Sequence, residues 1–206
     1  SPHVGRVLVV DDGSQDDTAA RAEAAGAEVL RLACNLGKAT ALQAGFDYAV
    51  EKGYAAVVIL DGDGQHDPEE IPALAKVWRE ERAHIVAGNR MLAAGKRMPL
   101  PRRMVNEFTA WLGSHIAGQP LPDCHCGFRL VDSEVLRSFR LQTKRFAGDT
   151  EMLIWSAIKS FRISFVPIRC IYTGGKSGIR PIPDAVRLLA FAVRALTERV
   201  RLKWRR

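Results

Sequence analysis

The sequence lacks any hydrophobic run that approaches the roughly 20 apolar residues needed to span a lipid bilayer. Its first residues, Ser1 to His3, have neither the basic nor the apolar segment of a secretory signal peptide. Four scattered cysteines are too few for a disulfide framework, which is typical of a reducing compartment. No internal repeat is found. These absences favour a cytoplasmic protein over a membrane-spanning or disulfide-rich secreted one.

The composition is that of an ordinary globular chain, with 47% hydrophobic and 26% charged residues among 206. This length favours one domain, or one domain with an appendage. The formal net charge is +7, and the basic excess is concentrated late in the chain. Anionic partners are therefore expected.

Strand-like and helix-like patterns alternate along the chain. Apolar, β-branched runs predict strands at residues 6–10, 28–32, 55–60, 85–88 and 162–171, and most of the segments between them have helical patterns. Ser14 and Asp17 form a capping-box pattern that predicts the start of the first helix. Strands alternating with helices of this length indicate an α/β protein with a mostly parallel central sheet flanked by helices.

Two aspartates follow the predicted strand at residues 55–60. Asp61 and Asp63 fall at the carboxyl edge of that strand, where open α/β sheets bind ligands. Together with the amide oxygen of Gln65, they present several oxygens to one hard cation, so Mg²⁺ or Mn²⁺ is expected there. The alternative is a polar turn whose aspartates only cap the next helix, for which Asp67 is the predicted N-cap and Pro68 the predicted first helical residue.

Further short motifs occur in a fixed order around this loop. They are Asp11-Asp12-Gly13-Ser14, Asn35-Leu36-Gly37-Lys38, Gly88-Asn89-Arg90, Arg103, and Asp123 to Arg129 with Gly127-Phe128-Arg129. Together they resemble the family 2 glycosyltransferases of GT-A, Rossmann-like fold, and more narrowly the dolichol-phosphate mannosyltransferase and polyprenyl-phosphate glycosyltransferase branch. The resemblance implies a catalytic domain over residues 1–183, from which the family's first strand is expected to be missing. The residue pattern of the remaining segment, 184–206, predicts a basic amphipathic helix.

The resemblance also implies roles for individual residues. Asp12, Gly37, Lys38 and Asp61 match nucleotide-binding positions, and Asp61 and Asp63 match the family's metal-binding pair. Asp123 matches a carboxylate that orients the sugar or takes a proton, and orientation is favoured. The matching basic residues near the diphosphate or the acceptor phosphate are Arg90, Arg103, Lys176 and Arg180, of which Arg90 and Arg103 are also expected, with Asp63 and Asp123, to carry catalysis.

The implied reaction is inverting transfer of mannose or glucose from a nucleotide sugar, GDP-mannose or UDP-glucose, to polyprenyl or dolichyl phosphate. No nucleic-acid partner is implied. Three alternatives stay open: a family 2 enzyme with a different acceptor, an inactive nucleotide-binding member, and a receiver-like phospho-switch. The doubled aspartate and the length of the chain argue against the phospho-switch.

The last segment combines a basic and an apolar stripe. Arg187, Arg194 and Arg201 recur every seven residues, while apolar residues recur at intervals of three and four. An amphipathic helix of this kind packs against the sheet or lies on a membrane. Because basic residues surround Trp204 over residues 197–206, we expect an anionic membrane surface as a partner and a peripheral location at the cytoplasmic face.

Overall fold

The computed structural model describes residues 2–94, 100–138, 140–141, 148–169, 171 and 193–201. Six strands lie in these ranges: β1 Leu8–Asp11, β2 Glu28–Arg31, β3 Ala56–Ile59, β4 Ile85–Asn89, β5 Arg129–Asp132 and β6 Ile163–Pro167. The helices are α1 Thr18–Ala24, α2 Lys38–Glu51, α3 Ile71–Glu81, α4 Arg90–Ala94, α5 Leu100–Ala117, α6 Ser133–Ser138, α7 Gly148–Ile158 and α8, residues 193–201. The predicted alternation of strands and helices is confirmed.

The strands form two sheets. β1 and β2 pair in parallel, and the other four strands have the order β3-β5-β4-β6. β4 pairs with β6 in parallel, whereas β5 is antiparallel to both of its neighbours. It follows that β3, β4 and β6 share one direction and that, in the described part of this sheet, β5 alone is reversed. The mostly parallel α/β architecture is confirmed, with β5 as an inserted antiparallel strand.

Side chains alternate between the two faces of the larger sheet, as the pleat requires. Ile85, Ala87 and Val131 point into a core built with α2, α5, α6 and α7. Val86 and Leu130 point to the opposite face and pack against α3. The sheet is therefore covered by helices on both faces, and α7 is buried along almost its whole length.

Of the two helix starts predicted from capping residues, the one at Asp67 is observed and the one at Ser14 is not. The Asp67 side chain accepts a hydrogen bond from the N–H of Glu69, and Pro68 begins the short 3₁₀ turn before α3, as predicted. The capping box at Ser14 is wrong, because α1 begins only at Thr18. The N-cap of α1 is Asp17, whose side chain makes no capping hydrogen bond, whereas Oδ1 of Asp16 accepts a hydrogen bond from the N–H of Thr18 at 3.1 Å.

The C-terminal part is described only over residues 193–201, which are helical as predicted. Ala195 is completely buried in the main core, while Val193, Leu196 and Val200 are exposed. Arg199 Nη1 donates to the carbonyl oxygens of His115 and Ile116 at the end of α5. Within the described residues, no helix is both long and apolar enough to cross a membrane.

Candidate active site

The Asp12 carboxylate joins the loop after β1 to the turn before α2. Its two oxygens accept hydrogen bonds from the N–H groups of Leu36 and Gly37, each at 2.8 Å. Gly13 has φ of 76°, and a Cβ there would lie 2.6 Å from the carbonyl carbon of Cys34. Only glycine permits so close a contact between the two loops. The predicted nucleotide-binding residues Asp12 and Gly37 are thus brought together by the fold.

Lys38 begins α2 and points at two carboxylates. Its Nζ lies 2.8 Å from Asp61 Oδ1 and 2.9 Å from Asp149 Oδ2. Burial alone would lower the pKa of Lys38, but the charges of Asp149 and Asp61 outweigh it and hold that pKa above its ordinary value. Lys38 is therefore a cation at neutral pH, fixed between the end of β3 and the start of α7.

The Asp61 carboxylate lies directly against backbone. A Cβ built on Gly127 would be 2.5 Å from Asp61 Oδ2, so a bare glycine is needed for this approach. Asp63 is exposed, and its Oδ1 accepts a hydrogen bond from the N–H of Gln65 at 3.0 Å. Within the described residues, no three His, Cys, Asp or Glu side chains are grouped closely enough to hold a metal ion.

The donor chemistry of this loop nevertheless fits a hard divalent cation. Asp61 and Asp63 supply carboxylate oxygens and Gln65 supplies an amide oxygen, the ligand types that Mg²⁺ and Mn²⁺ prefer. The absence of a side chain on Gly127 leaves room for the Asp61 carboxylate at the edge of the sheet. The three predicted ligands therefore remain a suitable donor set.

Asp123 and Arg90, both predicted as catalytic, form a buried bidentate pair. Arg90 Nε and Nη2 donate to the two Asp123 oxygens, each at 2.9 Å, and the N–H groups of Arg90 and His125 donate as well. Burial raises the pKa of Asp123, but the hydrogen bonds and charge of Arg90 outweigh it, and the pKa is lowered. Asp123 is thus a weak base whose position is fixed by Arg90.

A second buried arginine, Arg129, supports Asp149 and was not predicted to do so. Its side chain is fully buried. Nη1 donates to the carbonyl oxygen of Asp149 and lies 4.0 Å from Asp149 Oδ1. Nη2 donates to the carbonyl oxygen of Cys124 at 2.9 Å. Thr150 Oγ1 donates to the same Cys124 oxygen at 3.3 Å. The start of α7 is therefore fixed against β5. The sequence signal for Asp149 is its place directly after Gly148, since a glycine followed by an aspartate is typical of the first residues of a helix.

A buried histidine, His66, and a partly buried one, His125, lie in this region. Burial lowers the pKa of both His66 and His125, so both are neutral near pH 7. His66 packs on Phe128, with ring centroids 5.4 Å apart. In the described part of the chain, the Nδ1 atoms of both rings have no hydrogen-bond partner. No sequence pattern distinguishes His66 from an exposed histidine, because its burial depends on packing against Phe128, which is distant in the sequence.

The predicted basic residue Arg103 makes its described contacts outside this cluster. Arg103 is half-exposed on α5, and its Nε donates to Glu107 Oε1 at 2.7 Å on the same helix. Lys176 and Arg180 lie outside the described residues. The acceptor-binding roles of these three residues stay predictions.

Comparisons with known proteins agree with this architecture. A family model described as "Glycosyl transferase family 2" matches residues 5–140. The undecaprenyl-phosphate mannosyltransferase of Micrococcus luteus is 34% identical over 79% of this chain and 70% of that protein. The polyprenol monophosphomannose synthase of Mycolicibacterium smegmatis is 33% identical over 79% of this chain, which spans 65% of that protein.

Solved structures show the same fold at low sequence identity. Glucosyl-3-phosphoglycerate synthase from Mycobacterium tuberculosis aligns with a TM-score of 0.66 and 20% identity, over 95% of this chain and 69% of that one. Another structure of that enzyme, with Mn²⁺, UDP and glucosyl-3-phosphoglycerate, aligns with a TM-score of 0.64. With two thirds of its length matched by the family model, the chain belongs to glycosyl transferase family 2 and is a glycosyltransferase of GT-A fold.

Proposed function

We propose that this glycosyltransferase transfers a sugar, mannose in the first place, from a nucleotide sugar to a polyprenyl phosphate. The observation that carries the proposal is the cluster at one sheet edge: Asp61 after β3, bound by Lys38 of α2 and lying on Gly127 before β5. Such an edge is where open α/β sheets bind nucleotides. The polyprenyl phosphate acceptor is supported by the names of the relatives from Micrococcus luteus and Mycolicibacterium smegmatis.

Asp61, Asp63 and Gln65 would hold a divalent cation, Mg²⁺ or Mn²⁺. When bound, such an ion supplies neutralisation of the charge that grows on the departing diphosphate. Asp12 and Gly37 would form part of the nucleotide pocket. Lys38, charged at neutral pH, would add a positive charge beside the diphosphate.

The acceptor's chemistry determines what the protein has to do. A phosphate monoester is already anionic at neutral pH, so its oxygen can attack the anomeric carbon while the bond from that carbon to the diphosphate breaks and the nucleoside diphosphate leaves. No proton has to be removed. A single displacement of this kind inverts the configuration at the anomeric carbon.

Asp123 suits an orienting role in this reaction better than a basic one. Its pKa is lowered, both of its oxygens are bound by Arg90, and it is almost completely buried. Arg90 in turn lies mainly against Asp123 rather than facing solvent. We therefore propose that Arg90 acts on the sugar or diphosphate through the position of Asp123.

The acceptor's long hydrocarbon chain requires access to a membrane. α8 supports a peripheral contact, because Val193, Leu196 and Val200 are exposed on it while Ala195 anchors it to the core. We propose that the basic segment of residues 197–206 binds an anionic membrane surface at its cytoplasmic face. Deleting these residues should weaken salt-sensitive sedimentation with anionic liposomes, and unchanged sedimentation at low ionic strength would contradict this contact.

The function is tested by a matrix of donors and acceptors. The purified chain is incubated with radiolabelled GDP-mannose, UDP-glucose or UDP-N-acetylglucosamine and with a polyprenyl phosphate, in Mg²⁺, in Mn²⁺ or in EDTA. We expect one donor to give a radiolabelled lipid product that is extracted into organic solvent, and we expect no such product in EDTA.

Two other results would replace the proposal. Label transferred only to a water-soluble acceptor such as a phosphorylated three-carbon acid would show a family 2 enzyme with a different acceptor. Nucleotide binding without transfer to any acceptor would indicate an inactive binding member.

A further inference from the structure

Lys38 occupies the oxygens that a metal ion would need. Its Nζ lies 2.8 Å from Asp61 Oδ1 and 3.1 Å from Asp61 Oδ2, so both oxygens of this carboxylate are in contact with the ammonium group. An ammonium group and a divalent cation repel each other, so sharing these oxygens at contact distance carries a large electrostatic cost. Metal binding at Asp61 therefore favours displacement of Lys38.

The structure offers Lys38 a second carboxylate. Asp149 Oδ2 is 2.9 Å from Nζ, although Asp149 lies 111 residues further along the chain. Asp149 is 5% exposed, and its backbone carbonyl is held by the fully buried Arg129. This anchor stays in place when Lys38 moves, whereas the lysine has a flexible four-carbon side chain.

We infer that Lys38 is an internal counter-ion of the metal site, which neutralises Asp61 until a cation and a diphosphate bind together. On their arrival Lys38 gives up Asp61 to the cation and binds Asp149 and the diphosphate oxygens. The inference rests on the proposed metal and diphosphate site at Asp61 and Asp63.

This arrangement couples the two ligands. A cation that binds alone displaces the ammonium group of Lys38 from Asp61. Lys38 then keeps Asp149 as a partner but loses the Asp61 carboxylate. A cation that binds with a nucleoside diphosphate brings new phosphate oxygens for that ammonium group. The cation should thus bind weakly alone and tightly with the nucleotide, and Lys38 should cause a large part of the difference.

The test measures Mn²⁺ binding without turnover, from the electron paramagnetic resonance signal of free Mn²⁺, with and without GDP or UDP. Lys38→Met should bind Mn²⁺ alone at least about tenfold more tightly than the wild type, within the 5- to 150-fold range typical of coupled sites. Its gain in Mn²⁺ affinity on adding the nucleotide should shrink by a similar factor. Lys52→Met removes the same charge about 20 Å away, at the other end of α2, and should leave both values unchanged.

A second variant separates contact from simple charge. Asp149→Asn leaves Lys38 with Asp61 as its carboxylate partner and should weaken Mn²⁺ binding in the absence of nucleotide. In the Lys38→Met background the same change should have little effect, because the coupled group is gone. Thermal unfolding of every variant shows that each is folded. An equal effect of Asp149→Asn in both backgrounds would indicate only long-range charge and overturn the inference.

The remaining outcomes distinguish the inference from the function beneath it. If nucleotide strengthens Mn²⁺ binding equally in the wild type and in Lys38→Met, Lys38 is not the counter-ion, while the proposed metal site stands. If no variant binds Mn²⁺, even with nucleotide, the proposed metal site fails and this inference fails with it.

Discussion

Removing Arg90 should destabilise the protein far more than removing an exposed arginine. Arg90→Met leaves the Asp123 carboxylate in the core without its ion-pair partner; the side chains of the pair are 9% and 0% exposed. Breaking a buried pair in this way costs about 3–5 kcal/mol of unfolding free energy. For a chain of 206 residues, this corresponds to a melting temperature lower by about 6–20 °C.

The matched control is Arg103→Met, which breaks an arginine–carboxylate pair on the surface of α5. Arg103 and Glu107 are 49% and 51% exposed and lie four residues apart on one helix. A pair of this kind contributes about 0.3–0.5 kcal/mol, so the melting temperature should fall by no more than about 2 °C. Circular dichroism measures both variants, with thermal unfolding giving the melting temperature and urea unfolding giving the free energy of unfolding.

The pH dependence gives the sign of the electrostatic contribution. In the wild type the pKa of Asp123 is lowered from its ordinary value of 3.8. The ion pair therefore stabilises the folded protein fully when the pH is above 3.8, and this stabilisation is lost as the pH falls through the lowered pKa. In Arg90→Met, burial raises the pKa of Asp123, so stability is lost as the pH rises. The difference between the two proteins should be largest at pH 7 and shrink toward pH 4.

A double variant completes this test. Arg90→Met with Asp123→Asn removes the stranded charge and should recover a large part of the lost stability. A loss below about 1 kcal/mol in Arg90→Met, or a loss that is the same at pH 7 and pH 4, would refute the view that Asp123 is held ionised in the core by Arg90.

Three further variants test the loops around the site. Asp63→Ala should abolish transfer at an unchanged melting temperature, because Asp63 is exposed; full activity would remove its metal role. Gly127→Ala should displace Asp61 and so weaken Mn²⁺ binding at least tenfold. Gly62→Ala has open space around the new Cβ and should leave Mn²⁺ binding unchanged. Equal effects of the two variants in a Mn²⁺ titration would show that the close contact of Asp61 with Gly127 does not matter for metal binding. Gly13→Ala should lower the unfolding free energy, measured by urea unfolding, by more than about 2 kcal/mol, because a side chain there has an unfavourable φ and also clashes with the backbone of Cys34. Gly26→Ala introduces only the unfavourable φ, so it should lower the unfolding free energy by about 1–2 kcal/mol.

The sequence alone determined the features that depend on neighbouring residues. The apolar run before Asp61 predicted β3 and hence the position of Asp61 and Asp63 at a strand end. The Asp67-Pro68 pair predicted the start of the next helical segment, because an N-cap and a proline act within a few residues. The order of the motifs was sufficient to predict the family and the GT-A fold, both of which are confirmed.

Only the tertiary structure decided which charged groups meet. Lys38 contacts Asp149 across 111 residues, and Arg90 pairs with Asp123 across 33, since these contacts depend on how α2, β4 and α7 pack around one sheet. The reversal of β5 likewise brings Gly127 against Asp61 and buries Arg129 beneath Asp149. A buried arginine reads in the sequence like an exposed one, because burial and the ion pair that compensates it exist only after the elements have packed.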